Sequence, residues 1–199
     1  EKAIELDPDY ADAYASLADT YGLMPAYNFA SPDDAMPKAK SYAEKAKEKN
    51  PNLASAYTSL AWVLHNYEYD WKGAEENYSK AIELNPNYAT VNHWFGIFLS
   101  NNGRHNKAIE TLKKAAELDP QSMIIQYTVG QILLVAEQSE EALKYVERAH
   151  KMNPYFSSAL WFKFSKLTKV NTDKDIAYLK EAIKRFPDQP MHRKTLLEV

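Results

Sequence analysis

Apolar positions along this chain follow the period of short amphipathic helices, broken at regular places by turn residues. Residues 89–122 show the pattern most clearly. Val91, Phe95, Phe98 and Leu99 recur at helical spacing and predict a helix from about Ala89 to Ser100. Ala108, Leu112, Ala115 and Ala116 share one side of a second helix, from about Asn106 to Leu118. Between them Asn101-Asn102-Gly103 tolerates the left-handed backbone of a tight turn. Asp119-Pro120 ends the second helix, because a proline disfavours the helical conformation in the residue before it. A pair this short cannot bury its apolar faces alone.

The sequence supplies neighbours of the same kind. Pro8, Pro51, Pro86, Pro120, Pro154 and Pro187 recur in similar settings, at steps of 43, 35, 34, 34 and 33 residues. Three residues after each of the first five, a new first helix (A) begins. A small residue recurs in helix A at Ala18, Ala61, Gly96 and Gly130, and the fifth unit has Phe164 there. Each second helix (B) carries two alanines: Ala39 and Ala46, Ala74 and Ala81, Ala108 and Ala115, Ala142 and Ala149. Small residues at those places let two helix backbones approach closely, while Leu17, Leu60, Phe95 and Val129 fill the remaining space.

A helix–turn–helix unit repeating near this period resembles the tetratricopeptide-repeat (TPR) family over nearly the whole chain. The resemblance implies an all-α fold: a right-handed α–α superhelix of about five repeats, with partial repeats at both ends. It also implies one TPR solenoid domain over 1–199, with units at about 10–53, 54–88, 89–122, 123–156 and 157–189 and partial units at 1–9 and 190–199. In such a solenoid each unit touches only its neighbours. Glu1–Leu6 reads as the tail of a helix B and Met191–Val199 as a helix A, so the chain is expected to be a fragment of a longer protein. The stretches DWKGAEENYSKAIELNPNYAT and HWFGIFLSNNGR resemble repeats appended to bacterial signalling proteins: receptor-like kinases, nucleotide cyclases and winged-helix regulators.

Three connections stand out. The segment LMPAYNFASPDD adds residues beyond the standard turn; Leu23, Met24, Tyr27 and Phe29 are expected to pack over the end of the solenoid. Ser31 is expected to cap the following helix, with Pro37 in its first turn or at a bend. The turn from Asn66 to Trp71 carries one residue more than standard, and Trp71 is expected to staple the start of its helix B. Ser139, and Thr172 or Asp173, are the expected caps in the fourth and fifth units.

Composition narrows the function. The net charge of −3 argues against nucleic acid, whose affinity comes mainly from Lys and Arg on phosphates. Cysteine is absent, so there is no thiol nucleophile and no disulfide framework. No apolar stretch is long enough to span a membrane; Met123–Ala136 is interrupted by Gln126 and Gln131. Among His65, His93, His105, His150 and His192 no two form the i, i+4 pair of a helical metal site. Asp33-Asp34 and Asp173 with Asp175 sit where the helix dipole favours negative charge. No nucleophile, base and orienting group come together, so no enzyme, metal or cofactor is expected.

The family resemblance instead implies a concave groove lined by A helices. Carried onto this sequence, its positions give Thr58, Trp62, His65, Asn66, His93, Trp94, Ile97, Asn101, Tyr127, Gln131, Trp161 and Ser165 as the partner-binding residues. Asp12, Ala15, Ser16 and Asp19 hold the same positions in the first unit. Of all the groove positions only Lys169, in the fifth unit, is basic, and the groove lacks the Lys and Arg that chaperone-binding members use on a peptide's terminal carboxylate. Aromatic and neutral polar residues remain, and Trp and Tyr are common binding anchors. The expected function is a protein-interaction scaffold that takes a peptide or partner protein, as a regulatory module of a larger signalling protein. The alternative is head-to-tail self-association through the incomplete terminal repeats. The expected compartment is the cytoplasm, or the periplasm where a longer protein has a transmembrane segment.

Overall fold

The computed structural model describes residues 2–154, together with 177, 180, 181 and 183–185. Among the described residues the elements are helices. In chain order α1 is Lys2–Leu6, α2 Ala11–Leu23, α3 Pro32–Lys49, α4 Ala54–Val63 and α5 Trp71–Leu84. Then come α6 Ala89–Asn101, α7 His105–Leu118, α8 Met123–Val135 and α9 Ser139–Met152. They fall into two compact units, Glu1–Asn102 and Gly103–Val199. In the first, α2 pairs with α3 and α4 with α5, and α4 also packs on α2, α3 and α6. In the second, α8 pairs with α9 and rests on α7. The helices predicted around Ala89–Ser100 and Asn106–Leu118 are α6 and α7. Most of the fifth repeat, including Phe164, Lys169 and its expected cap, and the partial repeat at 190–199 lie outside the described residues.

Alanine forms the seam of every described pair. Ala39, Ala46, Ala74, Ala81, Ala108, Ala115, Ala142 and Ala149 are each 0% exposed, as their recurrence predicted. Gly130 shows why the facing position stays small: a Cβ there would lie 2.6 Å from Val146 Cγ2. Bulk comes from the A helices, through Leu60, Phe95, Phe98, Leu99 and Val129, all buried. Each such side chain contributes about 1.5–3 kcal/mol by leaving water. At the first turn Ile4 of α1 packs against the cluster of Tyr14, Ala15, Ala46 and Ala56.

The proline turns repeat a hydrogen-bond device. The residue before proline accepts from the amide two positions on: Asp9 N to Asp7 Oδ1, Asn52 N to Asn50 Oδ1 and Asn87 N to Asn85 Oδ1. This Asx turn explains why Asp or Asn stands there. The proline carbonyl is also satisfied, by a donor six residues later. Tyr57 Oη donates to Pro51 O at 2.9 Å, Asn92 Nδ2 to Pro86 O at 3.3 Å and Gln126 Nε2 to Pro120 O at 3.3 Å. Three different residue types perform one task, so no sequence motif announces it.

The connections depart from expectation in instructive ways. Ser31 caps α3 as expected, accepting from Asp34 N at 3.2 Å, with Pro32 at the first helical position where no amide donor is needed. Pro37 lies inside α3, beyond the first turn. Leu23 and Met24 are half-buried, but Phe29 is 80% exposed, so the inserted loop does not pack as a whole. The extra residue after α4 is absorbed by a π-helical turn, Leu64–Glu68, because an i to i+5 hydrogen bond accommodates one more residue per turn. Tyr69 then takes a left-handed conformation (φ 56°), and Asp70 caps α5 by accepting from Gly73 N at 2.9 Å. Ser139 is not a cap: it is the first residue of α9, and the preceding Gln138 makes no side-chain cap bond. Chain reversal before α9 is made instead by Glu137, at φ 60°.

Candidate functional site

Equivalent positions of α2 and α4 meet face to face. Ser59 Oγ donates to Asp19 Oδ1, and Trp62 Nε1 donates to the Gly22 carbonyl at 2.9 Å. Gly22 allows that approach, since a Cβ there would stand 3.2 Å from Trp62 Cδ1. On the other side of α4, Trp62 lies against Trp94 of α6 with ring centroids 4.6 Å apart.

His65, in the π turn, completes this cluster. Its ring stands edge-on to Phe98 at 5.2 Å and to Trp62 at 6.2 Å, and lies 5.7 Å from Trp71. Asn101 Nδ2 lies 3.1 Å from His65 Nε2, while Nδ1 is a buried nitrogen without a partner. Asn66 Nδ2 donates to the Trp62 carbonyl. Burial lowers the His65 pKa to about 4, and burial does the same for His93.

The structure therefore brings Trp62, His65, Trp94 and Asn101 together, with Asn66 on the same turn. Thr58 is buried and bonds back to the Ala54 carbonyl. His93 and Trp94 are also buried, at 6% and 5% exposure, whereas Ile97 is half-buried and Asn101 exposed. On α8, in the second unit, Gln131 Nε2 donates to Tyr127 Oη at 3.2 Å, and Tyr127 is buried. Trp161 and Ser165 lie outside the described residues. Trp71 begins α5 as expected, in contact with its neighbours but 44% exposed.

Open space lies one helix earlier. A cavity of about 480 Å³ runs between α2, α4 and the end of α5, with Asp12, Ser16, Asp19, Ser55, Asn85 and Tyr88 among its walls. Burial raises the Asp19 carboxyl to about 6, against an ordinary 3.8, with the Ser59 hydrogen bond acting in the opposite direction. Burial also raises the Tyr88 hydroxyl, and the nearby Asp19 charge adds to the shift. Asp19 was legible as a groove position of the first unit, but its burial and its bond to Ser59 were not. Tyr88 carries no such signal, because it precedes α6 in a turn and reaches the cavity through the stacking of neighbouring units. Among the described residues no group of three or more His, Asp or Glu could hold a metal ion. None of the described helices is long and apolar enough to cross a membrane.

Comparison with known proteins accords with this architecture. A family model described as anaphase-promoting complex, cyclosome, subunit 3 matches residues 67–149. The type IV pilus assembly protein PilF of Pseudomonas aeruginosa is 30% identical over 119 residues, 58% of this chain and 46% of that protein. The chain thus spans less than half the length of that relative. Among solved structures, YrrB, a TPR protein with an unusual peptide-binding site, is 22% identical with a TM-score of 0.58, covering 97% of this chain and 95% of that one. PilW, a widely conserved type IV pilus biogenesis factor, is 19% identical with a TM-score of 0.70, covering 98% and 87%. At these identities the two structures speak for the fold. Helical pairs at the 34-residue step, an alanine seam and these likenesses give the chain the fold of tetratricopeptide-type helical repeats.

Proposed function

We propose that this chain holds an extended or helical segment of a partner protein against its A helices. The carrying observation is the open cavity between α2 and α4, walled by side chains that can pair with a peptide backbone: Ser16, Ser55, Asn85 and Tyr88. The named peptide-binding property of YrrB, a structure of similar fold, supports the same reading. In it, the Trp62–Trp94–His65 cluster fixes the spacing of α4 and α6, and Ile97 and Asn101 offer further contacts. The buried rings then act as supports for the binding face. The resemblance of DWKGAEENYSKAIELNPNYAT to repeats of bacterial signalling proteins supports a regulatory place within a larger signalling protein.

The test is a titration of the 199-residue chain with peptides selected against it. Ser16→Trp, which fills the cavity from an exposed position, should weaken binding by about tenfold or more, and Glu76→Trp on the exposed side of α5 should not. Unchanged affinity in Ser16→Trp would remove the cavity from the site.

Self-association is a second reading, favoured by Leu6 at 79% and Tyr10 at 47% exposure beside α1. It requires a mass that grows with concentration in sedimentation equilibrium; a constant monomer mass excludes it.

A further inference from the structure

We propose that the cavity between α2 and α4 selects its partner by cationic side chains, seating a lysine or arginine of the bound segment on Asp19. The inference rests on the reading that this face takes a protein segment, and adds the chemistry by which the segment is chosen. Asp19 Oδ1 is engaged by Ser59, and Oδ2 has no hydrogen-bond partner among the described residues. Asp12, on the same helix, lines the same cavity and is exposed. No lysine, arginine or histidine lines the cavity, so neither carboxylate is neutralised there. The remaining polar walls are Ser16, Asn52, Ser55, Asn85 and Tyr88, which carry no positive charge at neutral pH.

An uncompensated carboxylate that is largely removed from water is costly to keep ionised. The raised Asp19 pKa reflects that cost, and a seated ammonium or guanidinium would offset it. A bare metal ion fits less well, since two carboxylates separated along a helix do not make a coordination shell. Spacing narrows the ligand further. Asp12 and Asp19 are two turns apart, about 10 Å along the helix axis. A segment in the polyproline II conformation rises about 3.1 Å per residue and returns to the same face every third residue, so it covers that distance in about three residues. The complementary segment therefore carries two basic residues, three apart. Charge matching of this kind contributes selectivity and association rate more than raw affinity.

Anisotropy titrations of the 199-residue chain use three labelled peptides of one neutral serine–alanine background. One places lysine at two positions three apart, the second norleucine and the third glutamate. The lysine peptide should bind about tenfold tighter than the norleucine peptide and the glutamate peptide more weakly than either. Asp19→Asn keeps an acceptor for Ser59 and the size of the side chain, so it should fold; in it the lysine preference should drop to about twofold or less. Asp12→Asn should lose a smaller share and weaken the dependence on salt. Equal binding of the lysine and norleucine peptides, or a preference that survives in the Asp12→Asn/Asp19→Asn double variant, overturns cation selection and leaves segment binding standing. Absence of binding by all three peptides, and by peptides selected against the chain, overturns both.

Discussion

Asp19, His65 and His93 set how the first unit responds to acid, and they pull in opposite directions. The Asp19 pKa rises from 3.8 unfolded to about 6 folded. Between those values the folded chain holds a proton that the unfolded chain has lost, so this term weakens stability as pH rises. Above pH 6 the cost is complete. The histidines fall from 6.5 to about 4. Their folded states stay neutral while the unfolded chain takes up protons, so stability present above pH 6.5 is lost as pH falls toward 4. Urea unfolding at pH 7 and pH 5 separates the terms. Asp19→Asn should raise stability at pH 7 by about 2 kcal/mol and steepen the acid loss. A wild-type chain more stable at pH 5 than at pH 7 would contradict the two buried histidines.

Tight packing gives a second residue-scale prediction. Gly130→Ala gains helix propensity but drives a Cβ into Val146, and should destabilise by about 1–3 kcal/mol, read by thermal unfolding. The recurrence of Ala18, Ala61, Gly96 and Gly130 made this position legible, because size is a property of the residue itself. The contact with Val146 was not, since it depends on how far α9 approaches α8.

At the scale of elements, helix bounds followed the sequence closely where turn residues and apolar spacing agreed, as in α6 and α7. Caps followed less well. Ser139 is a good capping type placed one residue too late, while Asp70 performs the task after the π turn. Capping depends on the backbone angles of one residue, and those are set by where the preceding helix releases the chain. Asp70→Ala should therefore cost about 1 kcal/mol, whereas Ser139→Ala should change stability by less than about 0.5 kcal/mol; paired urea titrations decide it. The extra residue between Asn66 and Trp71 was visible as a count. Its accommodation inside the helix rather than in the loop was not, because the buried His65 and Leu64 hold that turn against α6 and α5.

At the scale of the molecule, the side-chain bonds that join helices among the described residues link neighbouring repeats. Asp19–Ser59 and Gly22–Trp62 span 40 residues, His65–Asn101 36, and the Lys40–Glu68 and Lys113–Glu141 pairs 28. Both ion pairs are about one-third exposed and add little, about 0–1 kcal/mol each. Low contact order favours fast folding, so the main refolding phase, followed by tryptophan fluorescence after dilution from urea, should fall in about the millisecond range. A main phase of seconds, unaffected by prolyl isomerase, would contradict this account.

The sequence by itself determined the repeat, the helical pairs and the alanine seam. Those features rest on residue size, backbone preference and spacing, which act between residues close along the chain. Only the tertiary structure decided which A-helix residues stay open to solvent and which become core. Trp94, His65, Thr58 and Tyr127 occupy positions of one periodic pattern with Ser16 and Asp12, yet the first four are buried and the last two exposed. Exposure on an A helix is set by the rotation and offset of the neighbouring A helix, which brings residues about forty positions apart into contact. No local signal encodes that offset, and the cavity at Asp19 exists because of it.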